Sequence, residues 1–195
     1  MQDSYDRLYK KYEQKISEAK ELGIDFYDKN YDNILIGRRY ELFVAKSLVK
    51  DNKFKILEWT PDKGFEANIP VKSNFNPDLV ISDAEDRIIA IECKFRSKFF
   101  FKTKNNEISW SYEKQVGRYR GFSSERNIPV FIALGLFDEP TDPKYHYLVD
   151  MEMLYSRSRT EEVNSGNFQL IVEWKNIQND YVRNGEYANY LEGLL

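Results

Sequence analysis

The stretch IIAIECKF, residues 88–95, decides how the chain folds. Read as a strand, its side chains alternate between two faces. Ile89, Ile91, Cys93 and Phe95 form one uninterrupted apolar face. Ile88, Ala90, Glu92 and Lys94 form the other, which begins apolar and ends in opposite charges. The first face predicts anchorage in a core, so that Glu92 and Lys94 are held rigidly on the second.

Working outward, DLVI (78–81) reads as a short buried strand, and Asp83 to Asp86 supplies a polar turn before RIIAIECKF, so the two runs pair as a hairpin. Upstream, GRRYELFVAKSLVK (37–50) reads as a helix, KFKILEW (53–59) as a strand and PDKGFEANIP (61–70) as a loop. Downstream, a helix covers roughly 112–122 and IPVFIALGLF (128–137) supplies another strand. The order helix, three strands, helix, strand predicts an α/β fold in which a central mixed β-sheet is flanked by helices. The tail adds YHYLV (145–149), FQLIVEW (168–174) and an amphipathic piece, YVRNGEYANYLEGLL (181–195). At the other end, residues 3–22 place Tyr5, Leu8, Tyr12, Ile16 and Ala19 at helical spacing. The predicted organisation is an N-terminal amphipathic helix and linker over 1–35, then a single domain over 36–195 with a C-terminal extension.

Composition narrows the chemistry. With 195 residues, 42% of them hydrophobic and 31% charged, the chain suits one soluble domain with a real core. The opening MQDSYDRLYKK carries no apolar signal region, and the apolar run at 128–137 is too short for a bilayer, which predicts a cytoplasmic protein with no membrane partner. A single cysteine excludes an internal disulfide and a thiolate-rich zinc site. Cys93 reads as a small buried hydrophobe, and His146, the one histidine, as a structural residue of the strand KYHYLVD. No small-molecule cofactor is indicated. Carboxylates, lysines and a hard metal remain.

The net charge of −3 is unevenly spread: Arg87 to Arg126 holds ten basic residues against four acidic ones. A basic stripe on an acidic protein still binds phosphates, because those contacts act locally.

An acidic residue two before a lysine occurs six times, so context must choose among the matches. Only Glu92/Lys94 and Glu173/Lys175 lie on strand-like runs, and only the first follows a Pro-Asp strand, Pro77-Asp78, by one short turn. If the two strands pair, Asp78 approaches Glu92 with Lys94 on the same face. Carboxylates brought together in partly buried surroundings repel unless a cation joins them. Mg²⁺, which takes oxygen ligands and keeps waters for phosphates, answers that need. A hairpin ion pair without catalytic duty answers it equally. In the first core helix, Gly37 and Glu41 share a face, the small residue allowing close backbone approach; Glu41 can alternatively pair with Arg38. In EKQVGRYRGF, Gln115 and Tyr119 share a face, with Arg118 and Arg120 close by.

This ordered set, Gly37-x-x-x-Glu41, Pro77-Asp78, Glu92-Cys93-Lys94 and Gln115-x-x-x-Tyr119, resembles the PD-(D/E)XK nuclease superfamily, the restriction-endonuclease-like fold with its αβββαβ core. The resemblance runs from Gly37 to Leu136, roughly half the chain. The Gln-x-x-x-Tyr element looks like the exonuclease branch associated with recombination helicases, whereas the gap between Asp78 and Glu92 also suits restriction and junction-resolving enzymes. The resemblance implies a Mg²⁺ ion, with Mn²⁺ accepted in its place, held by Asp78, Glu92 and the main-chain carbonyl of Cys93, with Glu41 reaching it directly or through water. It implies that Lys94 serves the nucleophile and that Gln115 orients the site or a phosphate. DNA is the implied substrate, and a homodimer is compatible with cutting both strands. The superfamily also contains inactive members, so a nucleic-acid-binding module and an interaction subunit stand as alternatives.

Between the lysine strand and the second core helix lies FRSKFFFKTKNNEISWSYEK (95–114). Lys98, Lys102 and Lys104 alternate with Phe99, Phe100 and Phe101 around a turn at Asn105-Asn106. Together with Arg118, Tyr119 and Arg120, the lysines are candidate nucleic-acid contacts, while the phenylalanines suit burial against the body.

Overall fold

The computed structural model describes residues 31–60, 76–100 and 106–194, and residue 17. The predicted helix over 3–22 (residue 17 apart), the loop at 61–70 and the lysines Lys102 and Lys104 lie outside the described residues. The first helix, α1, runs over Tyr31–Val49. It begins before Gly37, where the sequence pattern starts it. Strands β1 (Lys55–Trp59), β2 (Leu79–Ser82) and β3 (Ile88–Arg96) follow. Next come β4 (Glu107–Tyr112), α2 (Glu113–Arg126), β5 (Val130–Glu139) and β6 (Asp142–Asp150). The chain continues through α3 (Met151–Ser156), β7 (Ser158–Asn164), β8 (Asn167–Glu173) and, after two 3-10 segments, α4 (Tyr187–Leu194).

The strands form a five-stranded sheet, ordered β1-β2-β3-β5-β6, and a three-stranded sheet, ordered β4-β8-β7. In the larger sheet β3 and β5 run parallel while the other neighbours run antiparallel, so it is mixed as predicted. The helix, three strands, helix, strand order holds with one strand, β4, inserted before α2. The β2–β3 hairpin forms because Asp83 organises its turn. The Asp83 carboxylate accepts the main-chain N–H groups of Glu85 and Arg87, both at 2.9 Å, and Asp86 takes the left-handed conformation such a turn requires (φ 58°).

Two apolar clusters enclose the large sheet. Ile89, Ile91 and Phe95 pack with Tyr40, Val44 and Leu48 of α1 and Leu191 of α4. Ala90 joins Ile132 and Leu134 of β5, Val116 and Tyr119 of α2, and Trp110, Leu170 and Val172 of the small sheet. Strand β3 is thus covered on both faces, as its two-sided apolar composition demands.

A close backbone approach exists, but not at Gly37. Among the described residues a methyl group at Gly37 would meet no atom within 4 Å, whereas a Cβ at Gly135 of β5 would lie 2.5 Å from Cε2 of Tyr40. The expectation for Gly37 is corrected on that ground. His146 is buried in β6, stacked on Phe43 at 5.3 Å and edge-on to Tyr187 at 6.1 Å.

Candidate active site

The hairpin register pairs Leu79 with Ile91 and Val80 with Ala90, and continuing it by one residue sets Asp78 opposite Glu92. Both are buried, Asp78 at 4% and Glu92 at 1% exposure. The main chain of Asp78 is fixed by its carbonyl, which accepts the Thr60 N–H at 2.8 Å, and its carboxylate Oδ2 accepts the Cys93 N–H at 2.7 Å. Lys94, two residues beyond Glu92 on the same face, donates from Nζ to Glu92 Oε1 at 2.5 Å. The ammonium offsets one of two carboxylates that burial would otherwise set against each other.

Cys93 points to the opposite face. Burial pushes its thiol up, and the charges of Asp78, Glu41 and Glu92 add to that, outweighing Lys94. The thiol is therefore a protonated hydrophobe that feels the charges of Asp78, Glu41 and Glu92. Glu41 approaches from the α1 side of the sheet. Its Oε2 accepts from Arg38 Nη1 at 2.8 Å, and both side chains are nearly inaccessible, so the pair lies in the interior rather than on a solvated helix face.

Helix α2 closes the other side. Gln115 Oε1 accepts from Ser111 Oγ at 3.0 Å and from the Tyr112 N–H at 3.3 Å, which ties the helix start to β4. One turn later Tyr119 is 1% exposed, and burial followed by the nearby charge of Glu92 holds its hydroxyl well above the usual phenol range. Tyr119, expected among the nucleic-acid contacts, is thus a core residue with a protonated hydroxyl beside the carboxylates. Arg120 engages Glu152 of α3 with two hydrogen bonds of 2.7 Å and lies over the Tyr155 ring, so the structure commits it to α3. Arg118 and Lys98 are exposed. Phe99 packs against Phe137 and Trp174 with ring centroids 4.7 and 5.4 Å away, following the burial reading for that residue.

Arg96 carries a role the sequence did not disclose. Next on the face that holds Glu92 and Lys94, it donates to the carbonyls of Phe95, Ser109 and Trp110 at 2.6 to 2.9 Å. It thereby staples β3 to β4. Burial pulls its guanidinium below its ordinary value.

Asp78, Glu92, Glu41 and the Cys93 carbonyl offer only oxygen, the ligand chemistry of Mg²⁺ and Mn²⁺. Three carboxylates against Lys94 and Arg38 leave a negative balance, which favours a bound cation. Among the described residues, however, no three histidine, cysteine, aspartate or glutamate side chains are already arranged as a ligand set. The donor types fit a hard cation, and Lys94 engages only the Oε1 atom of Glu92.

No protein-family model matches the chain, and no curated protein matches it. Among solved structures it is similar to Archaeoglobus fulgidus Hjc, a Holliday junction resolvase from an archaeal hyperthermophile. The identity is 15% and the TM-score 0.49, over 80% of this chain and 99% of that one. A likeness at that level transfers no residue role, and the site rests on its own geometry.

Proposed function

We propose that this chain is a divalent-metal-dependent nuclease that hydrolyses DNA phosphodiester bonds, with Asp78, Glu92 and Lys94 at its centre. The supporting observation is the hairpin register: two buried carboxylates face each other at the end of a rigid sheet, with a lysine on the same face. Asp78, Glu92 and the Cys93 carbonyl would hold Mg²⁺ or Mn²⁺, with Glu41 contributing from the α1 side. When bound, such an ion polarises a phosphoryl oxygen and lowers the pKa of a water.

The chain's own groups supply the rest. Lys94, on leaving Glu92, brings its ammonium to the attacking water or to the charge developing on the phosphate. Tyr119 keeps its proton and packs beside Glu92, which limits the carboxylate's freedom. Gln115 positions α2 rather than touching the reacting atoms, since its side-chain oxygen is committed to Ser111 and Tyr112. Covered faces on both sides of β3 keep these groups in register.

The test is a cleavage assay on duplex, single-stranded and branched DNA with Mg²⁺ or Mn²⁺ and with chelator. Cleavage that needs the metal and disappears in Glu92→Gln is expected. Folded protein that binds the metal yet cleaves none of these substrates would overturn the proposal and leave a nucleic-acid-binding module on the same scaffold.

A further inference from the structure

A cleft of about 630 Å³ lies where the start of α2 meets the tip of the β7–β8 hairpin. Lys114, Gln115 and Arg118 of α2 form one wall, Asn164 and Asn167 of the hairpin form the other, and Tyr112 stands between them. Among the described residues its lining includes no carboxylate, on a chain whose net charge is −3.

The helix carries its cations where an isolated helix would not favour them. Lys114 sits in the first turn, where the helix macrodipole disfavours positive charge. Lys114 and Arg118 are four apart, a spacing at which like charges repel. An anion beside Lys114 would relieve the first of these penalties, and Arg118 lines the same cleft. Tyr112 is 44% exposed, and Gln169 fixes its ring by donating from Nε2 to its hydroxyl at 3.2 Å. A preset exposed ring offers a stacking platform for a base that is not already paired. The side-chain amides of Asn164 and Asn167 can donate to and accept from base edges, while Gln115, its oxygen held by Ser111 and Tyr112, has only its amide N–H groups to offer. The volume lies within the range of about 300–1,000 Å³ typical of small-ligand sites, which suits a nucleotide-sized group and not a duplex.

We infer that this cleft binds an unpaired stretch of nucleic acid, its phosphate between Lys114 and Arg118 and a base on Tyr112. The inference rests on the nucleic-acid reading of the active site and adds to it where the strand runs. Gln115 and Arg118 line the cleft, and Tyr119 of the same helix is buried in the core cluster that includes Ala90 of β3, so α2 is shared between the cleft and the sheet that carries the carboxylates. The small sheet thus has a function of its own: it supplies the second wall.

The experiment is fluorescence anisotropy of a labelled single-stranded oligothymidylate, and of a blunt duplex of equal length, with chelator present so that nothing is cut. The wild type is expected to bind the single strand more tightly. Lys114→Ala should weaken that binding several-fold and lower the log–log salt slope by about 0.7. Tyr112→Ala should weaken it about fivefold or more, whereas Tyr112→Trp retains it. Duplex affinity should change less in each. Lys114 is exposed and Tyr112→Trp keeps an aromatic ring, so both remain informative if Tyr112→Ala perturbs the helix start. Equal binding of single strand and duplex by the wild type, or unchanged single-strand binding in Lys114→Ala and Tyr112→Ala, would overturn the inference. Strand binding lost in the variants, in a protein that cleaves nothing, would uphold the cleft and remove the nuclease. Metal-dependent cleavage with these variants binding normally would do the reverse.

Discussion

Lys94 is the residue on which structure and chemistry make the most demanding prediction. Its Nζ lies 2.5 Å from Oε1 of Glu92, which is 1% exposed, with Asp78 facing it across the hairpin. Replacing Lys94 by Met preserves much of the volume but leaves Glu92 without its ammonium. Removing one partner of a buried pair costs about 3–5 kcal/mol, and the 14% exposure of the Lys94 side chain points to the lower end. For a chain of this size each 1 kcal/mol moves the melting temperature by about 2–4 °C, so Lys94→Met should melt roughly 6–12 °C lower at pH 7. Glu92→Gln combined with Lys94→Met should recover most of the loss, and Mg²⁺ should stabilise Lys94→Met more than wild type. Thermal unfolding followed by circular dichroism reads all of this. A Lys94→Met protein as stable as wild type from pH 5 to 8 would refute the claim that Glu92 depends on its cation. The expected loss also means that cleavage by Lys94 variants must be assayed well below their melting range.

Two further outcomes follow from packing and burial. Gly135→Ala places a methyl 2.5 Å from the Tyr40 ring and 3.0 Å from Pro143, while the Tyr40 hydroxyl is fixed to that of Tyr187 at 2.6 Å. The overpacking should cost about 1–3 kcal/mol, seen as a lower urea midpoint with unchanged m, and an unaltered midpoint would show that Tyr40 can yield. Burial lowers the pKa of His146, with Asp142 and the Pro143 carbonyl opposing that shift. Between its folded pKa and the unfolded value of about 6.5 the unfolded chain binds more protons, so stability should fall as pH drops below about 6.5. His146→Phe should flatten that part of the urea-midpoint profile, and parallel profiles would refute the assignment.

The elements legible in the sequence share a local cause. The β2–β3 hairpin followed from two apolar runs and the Asp83–Asp86 turn, and α1, α2 and β5 from unbroken periodicity. Strand β4, EISWSY, alternates Ile108 and Trp110, but it follows a basic, aromatic stretch with a turn at Asn105-Asn106, and that stretch dominates the local pattern. Strand β7, SRTEEVN, sits at a sheet edge and needs no apolar face, so no pattern marks it. Helix α3, six residues long, is too short to show a period. At the site, Asp78, Glu92 and Lys94 were readable because they lie on one hairpin, whose register is set within a few residues. The role of Arg96 was not, because its acceptors Ser109 and Trp110 lie on another strand.

By itself, then, the sequence determined the strand that anchors the chain, its hairpin partner, the mixed α/β layering and the trio of charges at the hairpin's end. Periodicity and turn chemistry act over a few residues, and that is the range of those features. Only tertiary structure decided that Glu41 meets Arg38 in the interior, that Tyr119 is core while Arg120 belongs to α3, and that Gly135 rather than Gly37 admits a close neighbour. It alone set Asn164 and Asn167 across from Lys114. Those outcomes depend on which distant surfaces bury one another, and no spacing along the chain encodes that.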